Sequence, residues 1–208
     1  MNTINRHTHS TYREKGSKFL GFLFPAASHE AFEGELEAVR KEHPTATHHC
    51  YGWRIGPNHL EEFAQDDGEP SGTAGLPILN QLRSYEVVNA GLVVVRYYGG
   101  TKLGKAGLIE AYGLSARLCL DTARLQAIRK TENFRVYYPY AEQNLVELWK
   151  NRYGLVELES EYLESVTLLL ACPAETADTF RHELQMHEHR DITYEEEGSD
   201  FIAAGNTK

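Results

Sequence analysis

The chain has 208 residues, 41% of them hydrophobic and 25% charged, which is typical of a globular protein with one or two domains. Its formal net charge of −9 argues against indiscriminate binding of the whole molecule to nucleic acid. The N-terminus lacks an apolar core of signal-peptide length, and no segment approaches the roughly 20 apolar residues of a membrane span. We therefore predict a soluble, cytoplasmic protein without a membrane partner.

The charge is distributed unevenly along the chain. Residues 1–130 contain 15 Lys and Arg against 14 Asp and Glu, whereas residues 131–208 contain 6 against 16. A basic patch is therefore expected only in the first part, and the acidic second part is expected to be a solvated surface. The cysteines, Cys50, Cys119 and Cys172, form no CxxC pair, which favours free thiols in a reducing compartment.

The first elements predicted along the chain are a strand and a helix. Residues 18–27 (KFLGFLFPAA) form an apolar, aromatic run and predict a buried strand. Ser28 can cap the helix that follows. The spacing of Phe32, Leu36 and Val39 places these apolar side chains on one face of that helix.

Glycines and prolines divide the next part of the chain. Residues 46–55 predict a strand, residues 66–72 (DDGEPSG) a loop, and residues 73–82 a helix. Residues 90–98 (AGLVVVRYY) predict a strand that is buried on both faces, because its apolar run is continuous. Residues 99–107 predict a glycine-rich loop.

A long helix is predicted to end the first domain. Its apolar stripe starts at Leu108 and continues to a predicted end near Ala127. The polar residues 128–133 (IRKTEN) predict a linker. We therefore place the domain boundary between residues 1–130 and residues 131–208.

The second domain is predicted to have six elements. They are strand 134–140, helix 142–152, strand 155–160, strand 166–172, helix 175–185 and strand 191–195. This βαββαβ order is typical of the ferredoxin-like fold, and the tail from Gly198 is predicted to be frayed. The predicted fold class is therefore α+β with two domains.

Eight of the 17 glycines lie between residues 68 and 107 and mark the candidate functional surface. A glycine loop that leads into a helix exposes unpaired N–H groups, and the helix dipole favours an anion there. The candidate residues of this loop and its preceding strand are Arg96, Gly99, Gly100, Lys102, Gly104 and Lys105. They predict an anion or phosphate site. The alternative is a tight strand-to-helix turn whose lysines face solvent.

Residues 99–106 match the first seven positions of the nucleotide-binding P-loop pattern. Ala106, however, occupies the position of the hydroxyl residue that holds magnesium. No apolar strand that ends in Asp supplies the other usual magnesium carboxylate. We therefore do not predict ATP or GTP hydrolysis, and we predict no cofactor and no metal.

The loop at residues 66–72 carries three acidic candidates, Asp66, Asp67 and Glu69. Their carboxylates could bind a divalent cation, pair with basic residues of a partner, or pair with Arg96 and Lys102 within the fold. We favour a structural or partner-pairing role, because their spacing does not match a calcium loop. We also expect this loop and the 99–107 loop to meet in space.

Other polar residues near these loops have a structural and a chemical interpretation. Ser71 lacks the GxSxG nucleophile pattern, and helix capping is its expected role. On a strand, His48 and Cys50 face one side and His49 the other, so a metal site would need ligands from elsewhere. We expect one of these histidines to orient the 66–69 segment by hydrogen bonding.

Three aromatic residues near the candidate loops, Trp53, Tyr97 and Tyr98, also allow two interpretations. Exposed aromatic rings can stack on nucleic-acid bases. Packing in the core explains them better, because all three follow or lie within apolar strands.

Three segments together resemble the signature of the IMPACT family, and they are most similar to its two-domain bacterial branch. They are residues 48–56 (HHCYGWRIG), 66–79 (DDGEPSGTAGLPIL) and 93–113 (VVVRYYGGTKLGKAGLIEAYG). Residues 15–25 (KGSKFLGFLFP) resemble the family's opening strand. The C-terminal part matches in length and element order only.

The resemblance implies folds for both domains. The first domain is expected to be similar to domain 2 of ribosomal protein S5, and the second to be ferredoxin-like, as in domains III and V of elongation factor G. Eukaryotic relatives relieve translational repression during amino-acid starvation. The resemblance therefore implies an association with translation or RNA.

These observations favour a non-enzymatic, translation-associated regulator over an enzyme. Its partner would be RNA, the ribosome or a translation-related protein, bound through the first domain. The predicted contact surface comprises Asp66, Asp67, Glu69, Ser71, Arg96, Gly99, Gly100, Lys102, Gly104 and Lys105, with no catalytic residues assigned. The alternative is an enzyme that acts on a small anionic substrate held by the 99–107 loop.

Overall fold

The computed structural model describes residues 1–204, and the chain divides into two units, Met1–Gln126 and Ala127–Lys208. The first unit contains the following elements: β1 (Asn2–Thr3), β2 (Thr8–Glu14), β3 (Ser17–Pro25), α1 (His29–Glu42), β4 (His48–Ile55), β5 (Glu61–Gln65), α2 (Gly75–Ser84), β6 (Ala90–Tyr97) and α3 (Gly104–Thr122). Strands β2 to β6 form one antiparallel sheet in the order β2-β3-β6-β4-β5.

Strand β6 lies at the centre of this sheet and is buried on both faces, as predicted. Leu92 and Val94 pack in a core cluster with residues of α2 and α3. Val93 and Val95 point to the other face and pack with residues of α1. A continuous apolar run is therefore required here, because helices cover both sides of the strand.

Helix α1 begins as the sequence predicts. The Ser28 hydroxyl accepts a hydrogen bond from the backbone N–H of Ala31 at 3.2 Å, which is the expected N-cap. Phe32, Leu36 and Val39 are all buried against the sheet. The predicted apolar face of this helix is confirmed.

Helix α3 differs from the prediction at both ends. It starts at Gly104, so the predicted 99–107 loop is too long by one helical turn. It ends at Thr122, five residues before the predicted end at Ala127, because the chain there enters a strand. None of the helices in residues 1–204 has the length and apolar character that crossing a membrane requires.

The second unit has the predicted βαββαβ order. Its elements are β7 (Gln126–Tyr138), α4 (Gln143–Tyr153), β8 (Val156–Tyr162), β9 (Val166–Pro173), α5 (Ala177–Met186) and β10 (Thr193–Ala203). The strands pair antiparallel in the order β10-β7-β9-β8, which is the ferredoxin-like arrangement. Phe134, Trp149 and Phe180 lie in its core.

The predicted linker at residues 128–133 is wrong. These residues belong to β7, which pairs with β9 on one side and β10 on the other. The division between Gln126 and Ala127 lies four residues before the predicted boundary. Polar side chains are tolerated in this strand because they have partners: the hydroxyl of Thr131 donates to the carbonyl oxygen of Asp200 at 3.3 Å, and Arg181 donates to the carboxylate of Glu132 at 2.6 Å.

The predicted end of the chain also needs correction. Strand β10 continues to Ala203, with an irregularity between Glu196 and Ser199, so the stretch from Ser199 to Ala203 is paired with β7 and not frayed. The last four residues of the predicted tail lie outside the described residues.

A close approach between α2 and β5 yields a stability prediction. A Cβ at Gly75 would lie 2.5 Å from the backbone nitrogen of Gln65 and 2.7 Å from its carbonyl carbon. Gly75→Ala should therefore lower the free energy of unfolding by about 1–3 kcal/mol, because the backbone itself must move. Chemical denaturation would measure this change.

The matched control is Gly34→Ala in α1. Gly34 is exposed, and an added Cβ would meet nothing within 4 Å. The free energy of unfolding of this variant should rise by about 0.5–1 kcal/mol, because alanine has a better helix propensity than glycine. Equal denaturation midpoints for the two variants would contradict the close approach.

Candidate functional site

The acidic loop at residues 66–72 is held in place by Asp66. Its Oδ1 accepts hydrogen bonds from the backbone N–H groups of Ala74 and Gly75, both at 2.9 Å. Its Oδ2 accepts from the N–H of Gly72 at 2.8 Å. A carboxylate at this position also interacts favourably with the dipole of α2. Asp66 therefore caps α2 from outside the helix.

Asp67 attaches the same loop to strand β4. The backbone N–H of His49 donates to Asp67 Oδ2 at 2.6 Å. Nδ1 of His48 lies 2.7 Å from the carbonyl oxygen of Asp67. Since a carbonyl oxygen only accepts, this contact places the proton of His48 on Nδ1. The predicted orienting role of a histidine is confirmed.

Glu69 and Arg96 form a buried ion pair. Nη1 of Arg96 donates to Oε1 of Glu69 at 2.5 Å, and the two side chains are 6% and 4% exposed. The hydroxyl of Tyr112 donates to the same carboxylate oxygen at 2.8 Å. Buried charges are tolerated when they are paired and hydrogen-bonded in this way. The pair joins the acidic loop to the end of β6.

The guanidinium of Arg96 has further partners that fix its position. Nη2 donates to the hydroxyl of Ser17 at 3.3 Å. The rings of Phe19 and Tyr98 lie 5.5 Å and 5.4 Å from the guanidinium carbon, within the range of cation–π contact. Nε is buried, and no atom of the described residues 1–204 forms a hydrogen bond with it. Arg96 is therefore a rigid part of the site.

The second loop, residues 98–103, packs closely on the turn before β3. The N–H of Gly99 donates to the hydroxyl of Ser17 at 3.1 Å. A Cβ at Gly99 would lie 1.9 Å from the carbonyl carbon of Gly16, so only glycine fits. Ser17 thus binds both Arg96 and the second loop.

A cavity of about 350 Å³ lies where the two loops meet. Its lining includes Glu69 from the first loop, Arg96 and Tyr98 from the end of β6, and Lys102 and Lys105 beside the start of α3. Both lysines are exposed. Helix α3 has no side-chain cap at Leu103 and no acidic residue in its first turn. The rim is therefore electropositive, whereas the base is a neutralised ion pair.

Two buried groups beside the cavity are poor acids. The thiol of Cys50 donates to the carbonyl oxygen of Asp66 at 3.0 Å, and burial raises the pKa of this thiol. Burial also raises the pKa of Tyr112, and the nearby Cys50 and Glu69 raise it further. Both groups are protonated at neutral pH, so neither is an activated nucleophile.

The comparisons with known proteins cover both units. The Impact N-terminal domain matches residues 15–120, and a domain of unknown function, DUF1949, matches residues 137–185. IMPACT family member YigZ of Escherichia coli (strain K12) is 36% identical over 172 residues, which cover 82% of this chain and 84% of that protein. The chain belongs to the IMPACT family.

Other relatives are consistent with this membership. IMPACT family member YvyE of Bacillus subtilis (strain 168) is 39% identical over 117 residues, or 52% of this chain and 54% of that protein. The crystal structure of a hypothetical protein aligns with a TM-score of 0.68 and 31% identity, over 93% of this chain and 95% of that one. A two-domain translational regulator, Yih1, aligns with a TM-score of 0.40 and 23% identity over 56% of this chain and 47% of that one, which is too low to support an argument.

The IMPACT signature segments supply every predicted site residue, but the structure separates their roles. The expected meeting of the two glycine loops is confirmed by the Glu69–Arg96 pair and by the shared cavity. Lys102, Gly104 and Lys105 also line this cavity. Asp66 and Asp67 instead bond their loop to α2 and β4. Participation of any of these residues in binding stays a prediction.

The predicted capping role of Ser71 is wrong. Helix α2 has its N-cap at Ala74 without a side-chain cap, and Asp66 accepts from the first N–H groups of the helix. A carboxylate has two acceptor oxygens and a full charge, and it therefore satisfies several N–H groups at once. Ser71 is exposed.

Sequence reasoning missed Ser17 and Tyr112. Tyr112 lies within the apolar stripe predicted for α3, and a buried tyrosine hydroxyl normally needs a hydrogen-bond partner. Ser17 precedes an apolar strand and gave no signal of its own. Within residues 1–204, no three or more His, Cys, Asp and Glu side chains are grouped so as to hold a metal ion.

Breaking the buried pair should strongly destabilise the first domain. Glu69→Gln leaves the buried Arg96 charge without a counterion. It should lower the free energy of unfolding by about 3–5 kcal/mol. The double variant Glu69→Gln with Arg96→Met should recover part of this loss, because it also removes the orphaned charge. Urea denaturation of the single and double variants would measure the coupling.

The control for this comparison is Glu37→Gln. Glu37 pairs with Lys41 on the exposed surface of α1, so its loss should leave the denaturation midpoint almost unchanged. Additive losses at Glu69 and Arg96 would show that the two side chains are not energetically coupled.

The cysteines give a prediction about reactivity. All three are buried, and burial raises the pKa of each thiol, to about 11 for Cys119. A raised pKa keeps the thiol protonated at pH 8, where a free cysteine is partly thiolate. A disulfide reagent should therefore react slowly with the native protein and rapidly with all three thiols in denaturant.

The surface variant Ser84→Cys serves as the positive control, because Ser84 is exposed at the end of α2. It should add one rapidly reacting thiol to the native protein. Rapid reaction of the unmodified protein at pH 8 would contradict the burial of its cysteines.

Proposed function

We propose that the protein is a non-enzymatic, translation-associated regulator that binds RNA phosphate groups, free or on the ribosome, through its first domain. The observation that carries this proposal is the position of Lys102 and Lys105. They lie beside the uncapped start of α3, at the rim of a cavity formed by two loops of the IMPACT signature.

The charges around the cavity support an anionic partner. Glu69 offsets the charge of Arg96, so the net positive charge comes from the two lysines. The first N–H groups of α3 have no partner within the helix and add the positive end of its dipole. Flexible lysine side chains and backbone N–H groups can both bind phosphate oxygens. Such contacts do not depend on the base sequence.

The side chain of Tyr98 favours a nucleic acid over a simple anion as the binding partner. Tyr98 lines the same cavity and is 47% exposed, so its ring can stack on an unpaired base. The acidic second unit would repel phosphate, which limits contact to this local patch. The chain belongs to the IMPACT family, and the resemblance to that family implies an association with translation. RNA is therefore the expected source of phosphate.

Removing the two lysine charges should weaken RNA binding specifically. In Lys102→Ala with Lys105→Ala, affinity for a labelled single-stranded RNA should fall about tenfold in low salt. The slope of log affinity against log salt should decrease by about 1.4, since each neutralised phosphate contributes about 0.7. Fluorescence anisotropy would measure both quantities, and co-sedimentation would test ribosome association.

The matched control removes two charges elsewhere on the first unit, with Lys41→Ala and Arg124→Ala, both of which are exposed. It should leave affinity and salt slope unchanged. Arg96 is not varied in this experiment, because its loss would disturb the fold. Equal binding by the two double variants would refute a role for the cavity.

A second candidate function is an enzyme that acts on a small anionic substrate. The observation in its favour is the cavity volume of about 350 Å³, because small-molecule sites have volumes of roughly 300–1,000 Å³. A thermal-shift screen of phosphorylated metabolites tests it. Stabilisation by a metabolite that is lost in the Lys102 and Lys105 double variant, without RNA binding by the parent protein, would favour the enzyme.

A further inference from the structure

A second cavity lies on the opposite face of the first sheet. It has a volume of about 300 Å³ and is lined by His29, Phe32, Glu33, Tyr51, Trp53 and Phe63. Tyr51 and Trp53 alternate along β4 with Cys50, which packs towards α2 and α3. The two cavities are therefore separated by the sheet.

The walls of this second cavity are aromatic rings set at different angles. Trp53 stacks on Phe63 with centroids 5.8 Å apart and an interplanar angle of 23°. His29 lies 4.5 Å from Trp53, inclined at 58°, and Tyr51 lies 6.2 Å from Phe63, inclined at 35°. Phe32 is buried at 5.1 Å from Tyr51. The rings therefore present both faces and edges around one space.

Part of this aromatic surface is exposed to solvent. Phe63 is 43% exposed on the edge strand β5. Exposed aromatic side chains that adjoin a cavity are more typical of a binding site than of a solvated surface.

The electrostatics of the cavity favour a cation. Among residues 1–204, its lining contains the carboxylate of Glu33 and no lysine or arginine. Glu61 lies 3.1 Å from Nε2 of His29 and adds a second carboxylate at the rim. Burial raises the pKa of Tyr51, the charge of Glu33 raises it further, and the charge of Arg40, which is not among the lining residues, lowers it. Aromatic faces are themselves negative and attract cations.

The scarcity of acceptors selects the kind of cation. A primary ammonium has three N–H donors that need acceptors, whereas most of this wall is ring carbon, with the Glu33 carboxylate in the lining and Glu61 at the rim. A trimethylammonium group has no donor and presents methyl groups to the rings. We propose that this cavity binds a trimethylammonium group, either of a small molecule such as choline or of a trimethylated lysine side chain.

Choline and its neutral isostere 3,3-dimethylbutan-1-ol test this proposal, because they share a shape and differ in charge. The readout is the indole N–H resonance of Trp53 in the full chain, assigned by its loss in Trp53→Phe. Choline should shift this resonance saturably, with an affinity about tenfold higher than that of the neutral alcohol. A trimethyllysine peptide and its unmethylated form, added separately, distinguish a protein ligand from a small molecule.

Three variants separate charge recognition from packing. Phe63→Leu keeps an apolar side chain at an exposed position and should reduce choline affinity about fivefold. Glu33→Gln should weaken choline and leave the neutral alcohol unaffected. The control Tyr140→Leu removes an aromatic ring that is 51% exposed in the second unit, and it should change neither ligand.

The choline test and the RNA-binding test of the first cavity, which is lined in part by Lys102 and Lys105, can be distinguished. Choline binding should persist in the Lys102→Ala and Lys105→Ala double variant, so either proposal can fail alone. Equal affinities for choline and the neutral alcohol would overturn recognition of a cation. A shift of the Trp53 resonance by uridine or adenosine but not by choline would assign the cavity to bases instead. Absence of any shift would also refute the proposal.

Discussion

The arrangement of the IMPACT signature loops depends on one buried contact, the ion pair between Glu69 and Arg96. Desolvating two charges is costly, and the cost is offset only by close geometry and additional hydrogen bonds. Tyr112 and Ser17 provide those bonds from α3 and β3. Four separate segments of the chain therefore have to be in place before the pair is satisfied.

The sequence predicted those parts of the fold in which local pattern and tertiary environment agree. Strand β6 and helix α1 have a continuous apolar run and an apolar stripe, and both match their surroundings. Strands β2 and β5 were missed, since edge strands with a half-exposed, polar alternation depend on neighbours for pairing. The first half of β7, residues 128–133, was predicted as a linker because its residues are mostly polar, and only tertiary pairing with β9 and β10 makes it a strand.

The clustering of glycines and charges marks the segments that line the first cavity, but the role of each side chain was not predictable. Sequence does not reveal whether a charged residue faces solvent. Arg96 and Lys102 are both cations next to glycine loops, yet Arg96 is buried in an ion pair and Lys102 is exposed. Likewise, Asp66 and Ser71 are both good capping residues, and only the three-dimensional path of the loop brings Asp66 to α2.

Strand β4 presents different side chains to the two faces of the sheet. Tyr51 and Trp53 project to one face of the sheet, while Cys50 and Arg54 project to the other. A one-residue insertion or deletion within His48–Ile55 would exchange the two faces downstream of the change. Aromatic rings would then point at α2, and a guanidinium would point at α1. Differences in length between relatives are therefore tolerable in the turn at residues 56–60, but not within this strand.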